Sequence, residues 1–107
     1  LVRRGGEYSV QTYNVGNTIL KADGMELSVD GNSLRLAGKE VDMLSMFMGN
    51  PGRTIKLSQF VERLSDEEEV TRDMVELYIS YLRNKLESLH ANVRIDGNAE
   101  EGFTLVV

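Results

Sequence analysis

"VTRDMVELYISYLRNKLESLH", residues 70–90, decides how this chain is read. At about 100° per residue, Val75, Ile79, Leu82, Leu86 and Leu89 fall on one side and form an apolar stripe. Asp73, Leu77, Ser80 and Asn84 fall opposite, flanked by Glu76 and Tyr81. Arg72 and Arg83 lie on one shoulder and Lys85 on the other. The spacing predicts a helix that buries its stripe and exposes the opposite face. Thr71 is placed as its N-cap, and it ends near His90-Ala91-Asn92. Such a helix fits a major groove about 12 Å wide, where asparagine can pair with adenine and an apolar group can touch a thymine methyl. The shoulder cations would then set the register on phosphates. A solvated packing helix with no partner is the plainer alternative.

Outward from this helix, the chain reads as one small domain. It has 107 residues and 41% hydrophobic content, enough for a modest core. It contains no cysteine, so disulfides and thiolate metal sites are excluded. No apolar run is long enough to span a membrane, and the N-terminal residues lack a signal peptide's apolar region. A cytoplasmic setting is expected. The net charge of −5 argues against a general polyanion binder, because non-specific nucleic-acid affinity comes from lysine and arginine on phosphate. It leaves room for a local basic footprint.

"LVRRGG", residues 1–6, reads as a flexible junction. Residues 8–36 read as an antiparallel meander. "MELSV" alternates, with Met25, Leu27 and Val29 on one face, and Asp23-Gly24 and Asp30-Gly31 mark the turns on either side. The period then changes. Val41, Leu44, Phe47 and Met48 make a first helix, stopped by Gly49-Asn50-Pro51-Gly52. Leu57, Phe60, Val61 and Leu64 make a second, short one. "VRID" and "GFTLVV" predict a terminal pair of strands around "GNAEE". Met43, Met46 and Met48 are expected as pliable core filling, with Met46 the most exposed.

Together these segments resemble the output domain of OmpR/PhoB-type two-component response regulators, over nearly all of residues 8–107. "LRLAGKEVDML" is similar to the family's Leu-Thr-x-x-Glu-Phe-x-Leu-Leu, with Leu36, Glu40, Val41 and Leu44 in place. "NPGRTIKLSQFVERL" is similar to its Pro-Gly-Arg turn and second helix. "MVELYISYLRNKL" is similar to Val-Asp-Val-His-Ile-x-x-Leu-Arg-x-Lys-Leu through Val75, Ile79, Leu82, Arg83, Lys85 and Leu86, and "EGFTL" to the last strand. The resemblance implies an α+β winged helix-turn-helix: an N-terminal antiparallel sheet, three helices and a C-terminal β-hairpin wing. It implies that residues 1–7 are a linker from a preceding receiver domain and residues 8–107 the DNA-binding domain. It also implies that the third helix is the recognition helix.

The expected function is sequence-specific binding of double-stranded DNA in a two-component phosphorelay. Arg72, Leu77, Ser80, Tyr81, Arg83, Asn84 and Lys85 are the candidate DNA-binding residues. Family members often direct the second helix and the loop after it at RNA polymerase, so Asp66, Glu67, Glu68 and Glu69 are candidate polymerase contacts. Dimerisation on DNA through the receiver domain is implied as well. The chain departs from the family where arginines are common. It has Asp73, Ser80 and Tyr81 in the helix, and Ala99, Glu100 and Glu101 in the wing. Residues 51–107 hold seven lysines and arginines against eleven acids, a net of −4. A winged-helix protein-interaction module with weak or lost DNA binding is therefore the rival expectation, since fold does not fix function. No enzymatic activity, metal or cofactor is expected. His90, the sole histidine, sits where it would cap carbonyls or complement the helix dipole. The "DEEE" run lacks the alternating spacing of a hard-cation loop and reads as a solvated loop.

Overall fold

The computed structural model describes residues 12–65 and 69–107. The expected linker at residues 1–7, the first residues of the expected meander, and Asp66, Glu67 and Glu68 lie outside them.

Four short strands open the chain: β1 Thr12–Val15, β2 Thr18–Lys21, β3 Glu26–Val29 and β4 Asn32–Arg35. They form an antiparallel sheet in sequence order. Leu27 stands between Leu20 and Leu34 in the register. Leu20, Leu27 and Val29 point from one face into the core and are almost fully buried. The β3–β4 turn places Asp30 and Gly31 at φ 49° and 87°, the left-handed pair that a tight hairpin demands and Asp-Gly supplies. Met25 does not join the Leu27 and Val29 face. It precedes β3 at φ 52°, bonded within the turn to the Ala22 carbonyl, and is exposed.

Three helices follow: α1 Gly38–Met48, α2 Leu57–Leu64 and α3 Arg72–Ser88. The first two start the same way without a hydroxyl cap. A side chain in the first turn reaches back to the capping amide: Glu40 Oε1 accepts from Ala37 N at 2.8 Å, and Gln59 Oε1 from Lys56 N at 2.8 Å. Phe47 of α1 meets Phe60 of α2 with ring centroids 5.2 Å apart. Lys39 donates from α1 to the Leu64 carbonyl at the end of α2, placing a cation on that helix's negative terminus. Met43 and Met48 are buried and Met46 is partly buried against the core, so the methionines of α1 fill the interior.

α3 begins as its sequence predicts. Thr71 Oγ1 accepts from Met74 N at 3.2 Å. It ends on a backbone device: Ala91 N donates to Leu86 O and His90 N to Glu87 O, both at 3.0 Å, with His90 at φ 61°. These are the paired bonds of a Schellman motif, normally closed by glycine. The cap is therefore the His90 backbone, where the sequence suggested its side chain.

The chain finishes as a hairpin, β6 Arg94–Asn98 and β7 Gly102–Val106. A two-residue strand, β5 Thr54–Ile55, pairs antiparallel with β7, so the second sheet has three strands in the order β5-β7-β6. The sequence gives no period for a strand so short. The arrangement is a winged helix-turn-helix, with α3 packed between the other helices and the wing. Asn17 and Asn92 fasten the first sheet to the start of the wing by exchanging bonds from backbone amide to side-chain carbonyl, at 3.1 and 2.9 Å.

Candidate nucleic-acid interface

The packing of α3 settles which of its faces is available. Val75, Ile79, Leu82 and Leu86 are at most 2% exposed and sit in the core. The opposite face is open to solvent: Asp73, Glu76, Leu77, Ser80, Tyr81 and Asn84 are all exposed. Leu77 and Tyr81, one turn apart, keep 50% and 43% of their surface. Tyr81 is steadied by the half-buried Tyr78, whose ring meets it edge-on at 6.4 Å between centroids. Ser80 donates its hydroxyl to the Glu76 carbonyl one turn back, a local bond that leaves the oxygen able to accept. Arg72 is exposed in the first helical turn. Of the seven candidate DNA-binding residues, Leu77, Ser80, Tyr81 and Asn84 therefore lie on the open face, and Arg72 is exposed on its shoulder.

The other two are hydrogen-bonded within the domain, although Arg83 stays exposed and Lys85 is half-buried. Arg83 turns toward the wing. Its Nε donates to Ile95 O at 2.9 Å and a terminal nitrogen to Gly97 O at 3.1 Å, while the guanidinium carbon lies 5.5 Å from the centre of the Phe103 ring. One side chain thus fixes the angle between α3 and the β6–β7 hairpin. Lys85 turns to the first helix. Its Nζ lies 2.7 Å from Glu40 Oε1, and the Glu40 side chain is only 3% exposed. The oxygen that receives Lys85 also receives the Ala37 amide, so this pair joins the start of α1 to the last turn of α3. The sequence assigned Arg83 and Lys85 to phosphates from their place on the helical wheel. Their partners lie 12 to 45 residues away in the chain, beyond the reach of a wheel.

The wing presents acid. Arg94 and Asp96 pair with each other through two bonds of 2.9 and 3.2 Å. The guanidinium's pKa is raised above its ordinary value, first by the hydrogen bonds to Asp96 and then by that carboxylate's charge. At the tip, Asn98 Oδ1 accepts from Glu100 N and Glu101 N at 3.0 and 2.8 Å, closing the turn on itself. Ala99 is half-buried against the core, and Glu100 and Glu101 are exposed. Gly102 adopts φ 104°, and a Cβ there would press on Thr54 and the Ile55 carbonyl. Phe103 is buried. Of the acidic stretch between α2 and α3, Glu69 is exposed.

Comparison with known proteins matches residues 31–105 to the family described as "Transcriptional regulatory protein, C terminal". The chain is 30% identical over 87 residues to the transcriptional regulatory protein CiaR of Streptococcus pneumoniae, covering 80% of this chain and 39% of that protein. It therefore spans about two fifths of the length of that curated relative. The structure is similar to the DNA-binding domain of Escherichia coli CadC, with a TM-score of 0.79 at 24% identity over 92% of this chain and 95% of that one. It is also similar to the Klebsiella pneumoniae RstA DNA-binding domain, solved in complex with the RstA box, with a TM-score of 0.72 at 20% identity over 90% and 97%. At these identities the structural likenesses establish the fold.

Proposed function

We propose a function for a chain that belongs to the family of C-terminal domains of transcriptional regulatory proteins: it binds double-stranded DNA sequence-specifically, as the output domain of a two-component response regulator, with α3 in the major groove. The observation that supports this most is the exposed face of α3. It combines two half-exposed apolar side chains with an asparagine and a serine, the groups that read base edges and methyls. Arg72 stands at the helix start, where a cation can meet phosphate and set register. Arg83 and Lys85 serve the same site at one remove, by fixing α3 against the wing and against α1.

In this reading a receiver domain supplies the phosphorylation input, dimerisation places two copies on adjacent half-sites, and the acidic stretch Asp66 to Glu69 meets RNA polymerase in the cytoplasm. Binding requires no chemical step and no cofactor. Among the described residues no helix is long and apolar enough to cross a membrane. A second reading, a winged-helix module for protein partners, draws on the acidic wing and on the two cations committed internally.

Selection of bound duplexes from a random pool at two salt concentrations separates the readings. An enriched motif supports DNA recognition, and no enrichment at low salt supports the protein-partner module. Asn84→Ala and Tyr81→Ala should each then weaken binding to the enriched duplex by about 1–3 kcal/mol while leaving thermal melts native. Equal binding by both folded variants removes α3 as the reading surface.

A further inference from the structure

We infer that the base pairs facing the middle of α3 are A·T pairs, with thymine methyls read by Leu77 and Tyr81 and an adenine edge read by Asn84. This rests on the reading that α3 enters the major groove, and it goes further by naming the sequence class the helix selects.

Two kinds of observation converge. The first is what the face offers. Four large hydrophobic residues are exposed among those described, and two of them, Leu77 and Tyr81, lie one turn apart on this surface. An exposed leucine beside a braced tyrosine gives up apolar contact in water that a methyl group can restore. In the major groove only thymine carries such a methyl. Asn84 lies two turns from Leu77 along the same line of the helix, and its amide can donate to adenine N7 and accept from N6 at once. The second is what the face withholds. Guanine is read most often by the fork of arginine or by lysine. The two cations nearest this segment are engaged by the domain's own groups: the exposed Arg83 on the Ile95 and Gly97 carbonyls, and Lys85, in the last turn, on Glu40.

Asp73 limits the scope. A carboxylate in the first turn can accept from a cytosine amine, so the inference covers only the pairs facing Leu77 to Asn84. That segment advances about 10 Å along the helix axis, which corresponds to about three base pairs. Ser80 can contact any base and does not discriminate.

The test uses the whole chain. Duplexes are selected from a random pool at low salt, and the enriched site is remade with each thymine in turn replaced by deoxyuridine, which removes the C5 methyl and keeps the pairing. Each half-site should contain a run of about three A·T pairs. Deoxyuridine at a thymine within it should weaken wild-type binding about fourfold, the worth of one buried methyl group. Leu77→Ala or Tyr81→Ala, checked by thermal melting, should erase the loss at one thymine and keep it at others. A half-site centred on G·C pairs, or deoxyuridine duplexes bound as tightly as the parent, overturns the inference while leaving DNA binding intact. A pool from which nothing is enriched overturns the DNA reading and the inference with it.

Discussion

Lys85→Met should unfold the domain more easily without touching its DNA contacts. The ammonium lies 2.7 Å from Glu40 Oε1, with the lysine side chain 31% exposed and the glutamate 3%. At an effective dielectric of about 20, two unit charges at that distance attract by about 6 kcal/mol before the cost of leaving water is subtracted. Removing one partner of a buried pair costs about 3–5 kcal/mol, because the remaining charge is stranded. Lys85 keeps almost a third of its exposure, so water can approach the stranded carboxylate, and about 2–3 kcal/mol is the expected loss. Glu40 Oε2 is buried with no hydrogen-bond partner among the described residues, so within the protein the stranded carboxylate would keep only the Ala37 amide, on Oε1. For a domain of this size the loss lowers Tm by about 8–15 °C. Glu40→Gln should cost less than Lys85→Met, since its amide oxygen can still accept from Ala37 N and the ammonium it leaves can reach water. Urea titrations of the two single variants and the double variant close a thermodynamic cycle. Well below the midpoint, Lys85→Met should bind the selected duplex with an unchanged salt slope. A native melt with weaker, less salt-dependent DNA binding would refute the internal pair and return Lys85 to the phosphates.

Three further outcomes follow from the same geometry. With Arg83 and Lys85 engaged internally, phosphate contacts fall to Arg72 together with the exposed Arg53 and Lys56, so log K against log salt should slope at about −3, from roughly 0.9 per phosphate; a slope near −6 measured by fluorescence anisotropy would show cations recruited from elsewhere. Ala99→Arg with Glu100→Gly places a cation on the acidic wing tip and should tighten binding and steepen its salt dependence, whereas weaker binding would show that the acidic wing itself contributes to recognition. His90→Gly relieves a left-handed residue at the end of α3 and should raise stability by about 0.5–1 kcal/mol in urea unfolding, the left-handed cost less the entropy of an added glycine; a loss of stability would show that the imidazole makes contacts its exposure does not suggest.

The helices were readable because their information is local. Val75 to Leu89 repeat at the helical period, and Thr71 stands where a cap belongs, so the buried and open faces of α3 follow from spacing alone. Asp30-Gly31 announces its turn for the same reason. The unread features depend on distant partners. A wheel puts Arg83 and Lys85 on the shoulders of α3, but only the closed fold brings the Gly97 carbonyl to one and Glu40 to the other. Glu40, which the sequence marks only as a motif position, both caps its own helix and stands as an acid in the core. Thr54-Ile55 becomes a strand because β7 offers it an edge. His90 takes a glycine's conformation because the hydrogen bonds that end α3 require it. The wing's acidity, by contrast, is plain in "GNAEEGF", and the structure adds that Asn98 is turned inward on the tip's own amides.

The most direct measurement is amide chemical-shift mapping of the labelled chain titrated with its selected duplex. The largest shifts should fall on Arg72 to Asn84 along the open face of α3, with small changes at the wing tip from Asn98 to Glu101 and none in β1 to β4. Shifts centred on the wing tip or on the first sheet, with α3 unmoved, would contradict recognition by the third helix.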